Sequence, residues 1–156
     1  MWIAPAELAR LPMQGAAWNR LKAAADGDLG TAQIADQIST HDTTTLAVAL
    51  VYARTGTSSY RQKAAEAIAS AIGTEQGGRT LALARNLPSY VIAADLIDLR
   101  SANAALDARF RAWLRAVVAA NAERSRSSVC PRLVPAKTWR KVVPSLATWM
   151  EKVLRR

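Results

Sequence analysis

Three side chains that could do chemistry stand close together around a proline: Arg85, Asn86 and Tyr90 flank Pro88. A proline within a helical run removes a backbone hydrogen bond, so polar side chains can gather at such a break. A guanidinium or an amide can hydrogen-bond to a developing negative charge, and a phenol can transfer a proton. The cluster is therefore a candidate lining of a binding groove. In the alternative interpretation Asn86 caps a helix and Tyr90 packs between hairpins.

Two further residues are candidates for contact with a substrate. His41 is the one histidine and lies in the polar run 39–45, just before an apolar helix. An imidazole there could exchange a proton near neutral pH, or it could simply cap the helix. Arg54 lies in the last turn of that helix, where it could hold an anionic group or interact with the helix carbonyls.

The sequence offers no metal or cofactor site. Cys130 and His41 are each the only residue of their type, which excludes an internal disulfide and argues against structural zinc. No stretch reaches the roughly 18 apolar residues that a transmembrane helix needs. The first residues lack the basic and apolar regions of a secretory signal, so we expect a cytosolic chain or a mature or truncated form of an exported one.

The positive charge is concentrated at the C-terminal end. The formal net charge is +9, yet residues 1–123 contain 12 Lys and Arg against 11 Asp and Glu, whereas residues 124–156 contain 9 against 1. Together with Trp139 and Trp149, this basic tail suits binding to nucleic acid or another polyanion. No nucleic-acid motif is present, so we keep this interpretation as an alternative, beside a helical scaffold without chemistry.

Helices must position these residues. Alanine is abundant, with only 7 glycines and 6 prolines, and this composition favours helix. The apolar spacing predicts an all-α domain of antiparallel helical hairpins over residues 1–123, followed by the tail 124–156. The predicted helices cover residues 5–11, 15–25, 31–38, 46–54, 60–72, 102–122 and, in the tail, 145–156. Residues 79–100 form either two helices or one helix kinked at Pro88.

The helix at residues 46–54 is apolar almost all round, which predicts burial on several sides. We expect Asp42 or Thr43 to cap its start, and Gly56 to end it in a left-handed conformation. With the helix 60–72 it forms a predicted αα-hairpin. The last predicted helix carries an apolar stripe of Leu106, Phe110, Trp113, Leu114, Val117 and Val118.

Two stretches resemble the helical domain of alginate-lyase-type polysaccharide lyases. The first is the run Leu-Ala-Val-Ala-Leu-Val-Tyr-Ala-Arg-Thr-Gly at residues 46–56, continued by residues 60–64. The second, residues 81–97, contains the distinctive run Arg-Asn-Leu-Pro-Ser-Tyr, and residues 110–114 fit as the next element. The resemblance covers about residues 1–118 and implies a partial α/α toroid of helical hairpins.

Such lyases cleave an acidic polysaccharide, such as alginate, by β-elimination at a uronate and need no obligatory metal. A Tyr or His takes the C5 proton, a Tyr protonates the leaving oxygen, and Asn, Gln or Arg neutralises the substrate carboxylate. Carried to this chain, the resemblance implies Tyr90, Asn86 and His41 as catalytic residues, and Arg85 and Arg54 as substrate-binding residues. It also implies a periplasmic or secreted protein.

One family segment is missing from the sequence. After the helix that contains Trp113, the family continues with Asn-Asn-Trp or Asn-Asn-His, and nothing similar occurs here. The later hairpins of the family are also absent. The charge and composition of the tail 124–156 differ from those of residues 1–123, as in a substituted sequence such as a frameshift product. We therefore expect a shortened domain that binds or cleaves a uronate polymer, with activity dependent on the missing segment. An incomplete array of hairpins also exposes an apolar face, which predicts a homo-oligomer.

Overall fold

The computed structural model describes residues 5–128, and the side chains of residues 6–123. The described residues form helices and no strand, so the predicted all-α class is confirmed. The partial toroid remains a prediction. The helices are α1 (Pro5–Arg10), α2 (Ala16–Asp26), α3 (His41–Thr55), α4 (Ser58–Ala71), α5 (Thr80–Leu96), α6 (Leu99–Ala102) and α7 (Ala104–Ser128).

Helix α3 lies at the centre of the packing and contacts α2, α4 and α5. Three consecutive residues, Ala47, Val48 and Ala49, are all buried. Because consecutive residues on a helix point in different directions, α3 must be covered from several sides. This confirms the burial predicted from its apolar sequence.

The α3–α4 hairpin is also confirmed. Gly56 adopts a left-handed conformation, with φ of 69°, and its N–H donates to the carbonyl of Tyr52 at 2.7 Å. That bond satisfies a carbonyl of the last helical turn, which has no partner within the helix. Helix α4 then turns Ala64, Ala67, Ile68 and Ala71 into the core.

Helix α5 settles the choice that the sequence left open at Pro88. It runs without interruption from Thr80 to Leu96, with Pro88 inside it. Asn86 therefore does not cap a helix, and the interpretation with two helices is wrong. Pro88 leaves the carbonyl of Ala84 without its usual intrahelical partner, but the packing of α5 against α3 outweighs this local loss.

Two predictions around the start of α3 are wrong. Residues 31–38 form turns and not a helix, because their backbone groups bond to Thr74 and to the side chain of Asn86. Helix α3 begins at His41 with Thr40 as its N-cap residue, so neither Asp42 nor Thr43 is the cap. Instead, the hydroxyl of Thr43 donates back to the carbonyl of Thr40 at 2.9 Å.

Helix α7 extends further than the sequence predicted. It includes residues 124–128, although the sequence indicated a loop from residue 124 onward. Arginine is a good helix former, so Arg124 and Arg126 are compatible with this extension. Val118 was predicted as a member of the apolar stripe but is 41% exposed, so its inclusion is wrong, whereas the other members are buried.

The chain divides into two compact units, Met1–Trp113 and Leu114–Arg156. The predicted domain boundary at residue 123 remains a prediction. The predicted helix at 145–156, together with Cys130, Trp139 and Trp149, lies outside the described residues.

The left-handed turn after α3 gives a first test of the fold. Substitution Gly56→Ala should lower the free energy of unfolding by about 1 kcal/mol, because alanine is strained at positive φ. A Cβ at this position would meet no atom within 4 Å, so the loss reports the backbone alone. Urea unfolding followed by circular dichroism measures it.

Gly27→Ala is the matched control. Gly27 has φ of −71°, and an added Cβ would meet the carbonyl oxygens of Ala23 at 3.4 Å and Ala24 at 3.7 Å, which are ordinary contacts. Its stability should be unchanged or slightly increased. Equal losses in the two variants would contradict the assigned turn.

Candidate functional site

The predicted catalytic residues His41 and Tyr90 form a direct hydrogen bond in the core. His41 Nδ1 lies 2.7 Å from Tyr90 Oη, although the two residues are 49 positions apart in the sequence. His41 opens α3 and Tyr90 lies in α5. Both side chains are buried, with His41 3% exposed and Tyr90 0% exposed. The pair therefore joins the two helices that contact each other most closely at the centre of the fold.

Thr45 lies beside the His41–Tyr90 hydrogen bond and contacts the same imidazole nitrogen. Its hydroxyl donates to the carbonyl of His41 at 2.7 Å and lies 3.4 Å from His41 Nδ1. A hydroxyl carries a single hydrogen, and the shorter contact with the carbonyl uses it. Tyr90 is therefore the principal partner of Nδ1. Depending on its tautomer, the neutral imidazole accepts the phenolic hydrogen at Nδ1 or donates its own Nδ1 hydrogen to Tyr90 Oη.

A second polar link joins the same two helical turns. Ser89 Oγ donates to Asp42 Oδ2 at 2.9 Å, and Asp42 is 3% exposed. His41 and Asp42 are neighbours in the first turn of α3. Ser89 and Tyr90 are neighbours in the second half of α5. Two adjacent residues of α3 thus bond to two adjacent residues of α5.

Burial controls the protonation of the pair. Loss of solvent lowers the pKa of His41, and the nearby Asp42 carboxylate only partly opposes this effect. Burial raises the pKa of Tyr90, and Asp42 raises it further. Both shifts favour the uncharged forms. Near neutral pH the imidazole is therefore neutral and the phenol keeps its proton.

Asn86 lies one helical turn before Tyr90, on the same face of α5. Its side-chain amide donates to the carbonyls of Ile34, at 3.0 Å, and Asp36, at 2.8 Å. Its Oδ1 atom is buried and has no hydrogen-bond partner. Asn86 thus holds the segment before α3 through its donor group, and its acceptor is unused.

The two predicted substrate-binding arginines lie in different places. Arg85 is exposed, beside Asn86, and its Nη1 donates to the carbonyl of Gln37. Arg54 lies near the opposite end of α3 from His41, about 20 Å along the helix axis. Its Nη2 donates to the carbonyl of Leu11 at 2.6 Å, and its buried Nε has no partner. The structure brings His41, Tyr90, Asn86 and Arg85 into one region and leaves Arg54 outside it.

Three residues of this region were not predicted as parts of a site: Asp42, Thr45 and Ser89. The sequence did contain a signal for Thr45, since it follows His41 by four positions and so shares its helix face. Asp42 was expected to cap the helix, and its carboxylate instead points to α5. No pattern along the sequence indicates Ser89, because its role depends on how α3 packs against α5.

Elsewhere in the first unit, an open cleft of about 410 Å³ lies between α4 and the start of α7. Its walls include Arg61, Gln62, Glu66 and Asn103, and none of the predicted site residues lines it. Among the described residues, no group of His, Cys, Asp and Glu is placed to hold a metal ion. No described helix is long and apolar enough to cross a membrane.

Comparison with known proteins yields no match: no family model, no curated protein and no solved structure corresponds to this chain. The relationship to alginate-lyase-type proteins therefore remains a prediction from the two sequence stretches.

The buried imidazole predicts a pH dependence of stability. The pKa of His41 is lowered in the folded protein below its usual 6.5, so the unfolded chain binds more protons below that pH. The free energy of unfolding should therefore be constant above about pH 7.5 and fall as the pH drops below 6.5. Urea unfolding at a series of pH values measures this dependence.

His41→Gln supplies the control, because histidine is the only side chain whose ordinary pKa lies between about pH 5 and 8, and this chain has one. The variant should lose the slope between about pH 5.5 and 7.5. A slope of equal size in wild type and variant would show that His41 is not the group responsible.

Proposed function

We propose that this chain is a helical domain of the alginate-lyase type that acts on acidic uronate polysaccharide by β-elimination. His41 and Tyr90 are the proposed acid–base pair. One observation carries the proposal: two residues that the resemblance implied as catalytic, 49 positions apart, meet at 2.7 Å. Such a substrate places the activity in the periplasm or outside the cell.

The chemistry requires one base and one acid. The base takes the proton from C5 of the uronate, the C4–C5 double bond forms, and the C4–O bond breaks. The acid gives its proton to the leaving glycosidic oxygen. A single proton thus passes to the enzyme and a single proton leaves it, so no external reductant, oxidant or metal enters the balance.

The protonation of the pair supports this division of roles. Because burial lowers the pKa of His41, the imidazole is neutral, and in the tautomer with its hydrogen on Nδ1 the Nε2 atom is able to accept a proton. Because burial raises the pKa of Tyr90, the phenol holds a proton that it can donate. A general base must be unprotonated and a general acid protonated at the working pH.

Arg85 is the proposed partner of the uronate carboxylate. Its guanidinium is a planar fork of N–H groups that suits a carboxylate, and in the structure its Nη1 atom donates to the Gln37 carbonyl. Neutralising this carboxylate makes the C5 proton more acidic. Asn86 lies beside Arg85, but its donor group is already engaged by Ile34 and Asp36. We therefore assign Asn86 to positioning and not to the chemistry.

The second candidate function is a helical scaffold without chemistry. The burial of His41 and Tyr90 favours it, because a buried and mutually bonded pair also has a purely structural use. Binding of nucleic acid or another polyanion by the basic tail remains a prediction, since residues 129–156 lie outside the described part of the chain.

A lyase assay separates the two candidates. Alginate and other polyuronates are incubated with the protein, and ultraviolet absorbance reports the unsaturated uronate product. The proposal predicts a signal that Tyr90→Phe abolishes, with the helical circular dichroism spectrum of the variant retained. Tyr60→Phe is the matched control, because Tyr60 bonds to Asp26 at the surface, and it should leave the rate unchanged.

Absence of product from well-folded wild-type protein on every polyuronate would overturn the proposed elimination and support the scaffold. A signal that persists in Tyr90→Phe would show that another residue is the acid.

A further inference from the structure

The connection between α2 and α3 has two halves that are held in different ways. In the first half, Ala32 and Ile34 are buried, at 8% and 1% exposure. The Ile34 N–H donates to Thr74 Oγ1 at 3.2 Å, and the Ala35 N–H donates to the Thr74 carbonyl at 3.3 Å. This half is therefore fixed by apolar burial and by backbone bonds.

The second half, residues 36–40, is here called the strap. Its side chains are mostly exposed, and Ile38 is 77% exposed. Two adjacent side chains of α5 hold it: Asn86 donates to the Asp36 carbonyl at 2.8 Å, and Arg85 donates to the Gln37 carbonyl. The strap thus depends on side-chain hydrogen bonds and buries little apolar surface, and segments of this kind open locally at low cost.

The strap lies next to the candidate site. It continues directly into His41, the first residue of α3. Asn86, which holds the strap, is one turn of α5 away from Tyr90 and on the same face. A movement of residues 36–40 therefore takes place next to the His41–Tyr90 pair. With the strap in its present position, both side chains of the pair are buried.

We propose that the strap is a gate over the His41–Tyr90 pair, latched by Arg85, and that a carboxylate-bearing ligand opens it. The carboxylate takes the Arg85 guanidinium from the Gln37 carbonyl, which frees the strap at the moment the ligand binds. The identity of the ligand as a uronate rests on the proposed function, whereas the gate itself does not.

The competition at Arg85 favours the carboxylate. The Arg85–Gln37 bond joins a charged donor to a neutral carbonyl, whereas a carboxylate adds an opposite charge and offers two oxygens to the guanidinium fork. The closed strap gains little to oppose this, because Ile38 is already in contact with water. The Asn86 bonds to Ile34 and Asp36, together with the buried Ile34 side chain, keep the base of the strap in place while residues 37–40 move.

The single histidine makes the gate directly measurable. Diethyl pyrocarbonate modifies accessible imidazoles, and peptide mass spectrometry reports the rate at His41 alone. Arg85→Ala should raise this rate about fivefold, the change expected from loss of one hydrogen bond of about 1 kcal/mol. Arg85→Lys, which keeps the charge without the fork, should give a smaller increase. Arg109→Ala, an exposed arginine of α7, is the control and should leave the rate unchanged.

Low urea concentrations distinguish the gate from global unfolding, since local opening exposes little surface and depends weakly on urea. An unchanged His41 rate in Arg85→Ala would overturn the gate. An increased His41 rate whose urea dependence is as steep as that of global unfolding would also overturn it.

The trigger is tested by hydrogen exchange of the peptide that contains the strap. The N–H groups of Ile38 and Ser39 donate to Asp36 within the closed strap, and the proposed opening includes the unfolding of this turn, so their exchange reports it. Alginate oligosaccharide should accelerate this exchange in the wild type and not in Arg85→Ala, and a neutral oligosaccharide should have no effect. Equal effects of the acidic and neutral sugars would overturn the carboxylate trigger. If the lyase assay gives no product while the exchange results are as expected, the proposed elimination is wrong and the gate still stands.

Discussion

The hydrogen bond between His41 and Tyr90 is the constraint on which the centre of this fold depends. Helix α3 is apolar on nearly all sides, and three consecutive residues of it are buried. Apolar packing alone is non-directional and does not select one rotation of such a helix. The links His41–Tyr90 and Asp42–Ser89 do select one, because each requires a particular turn of α3 to face a particular turn of α5. A mispaired register would deprive the buried side chains of His41, Asp42 and Tyr90 of these partners, at a cost of about 1–3 kcal/mol each.

These contacts also show which parts of the structure a sequence can predict. The helices and the α3–α4 hairpin follow from local signals, namely apolar spacing and a glycine at a left-handed turn. The wrong predictions concern segments whose conformation is set by contacts with distant parts of the chain. Residues 31–38 have a helical pattern, but bonds from Thr74 and Asn86 hold them in turns. Pro88 predicts a break, but packing against α3 keeps α5 continuous.

The candidate site, too, could be predicted only in part. His41, Asn86, Arg85 and Tyr90 were identified from residue type and from the resemblance, and the structure brings them together. Their burial, and the partnership of Asp42 with Ser89, depend on contacts between segments nearly 50 positions apart, which no local pattern encodes. Asn86 illustrates the point: its amide satisfies carbonyls of an irregular segment, whose path the sequence did not predict. Arg54 was proposed from its position at a helix end, and its contact with Leu11 depends on how the first helices return to α3.

The central claim is that His41 and Tyr90 act as one coupled unit, and a double-mutant cycle tests it most directly. The free energy of unfolding is measured at pH 8 for wild type, His41→Gln, Tyr90→Phe and the double variant. A true pair predicts that the double variant loses less than the sum of the single losses, with a coupling of about 1 kcal/mol or more. Losses that add within about 0.5 kcal/mol would contradict the pairing, and with it both the registration of α3 on α5 and the proposed acid–base site.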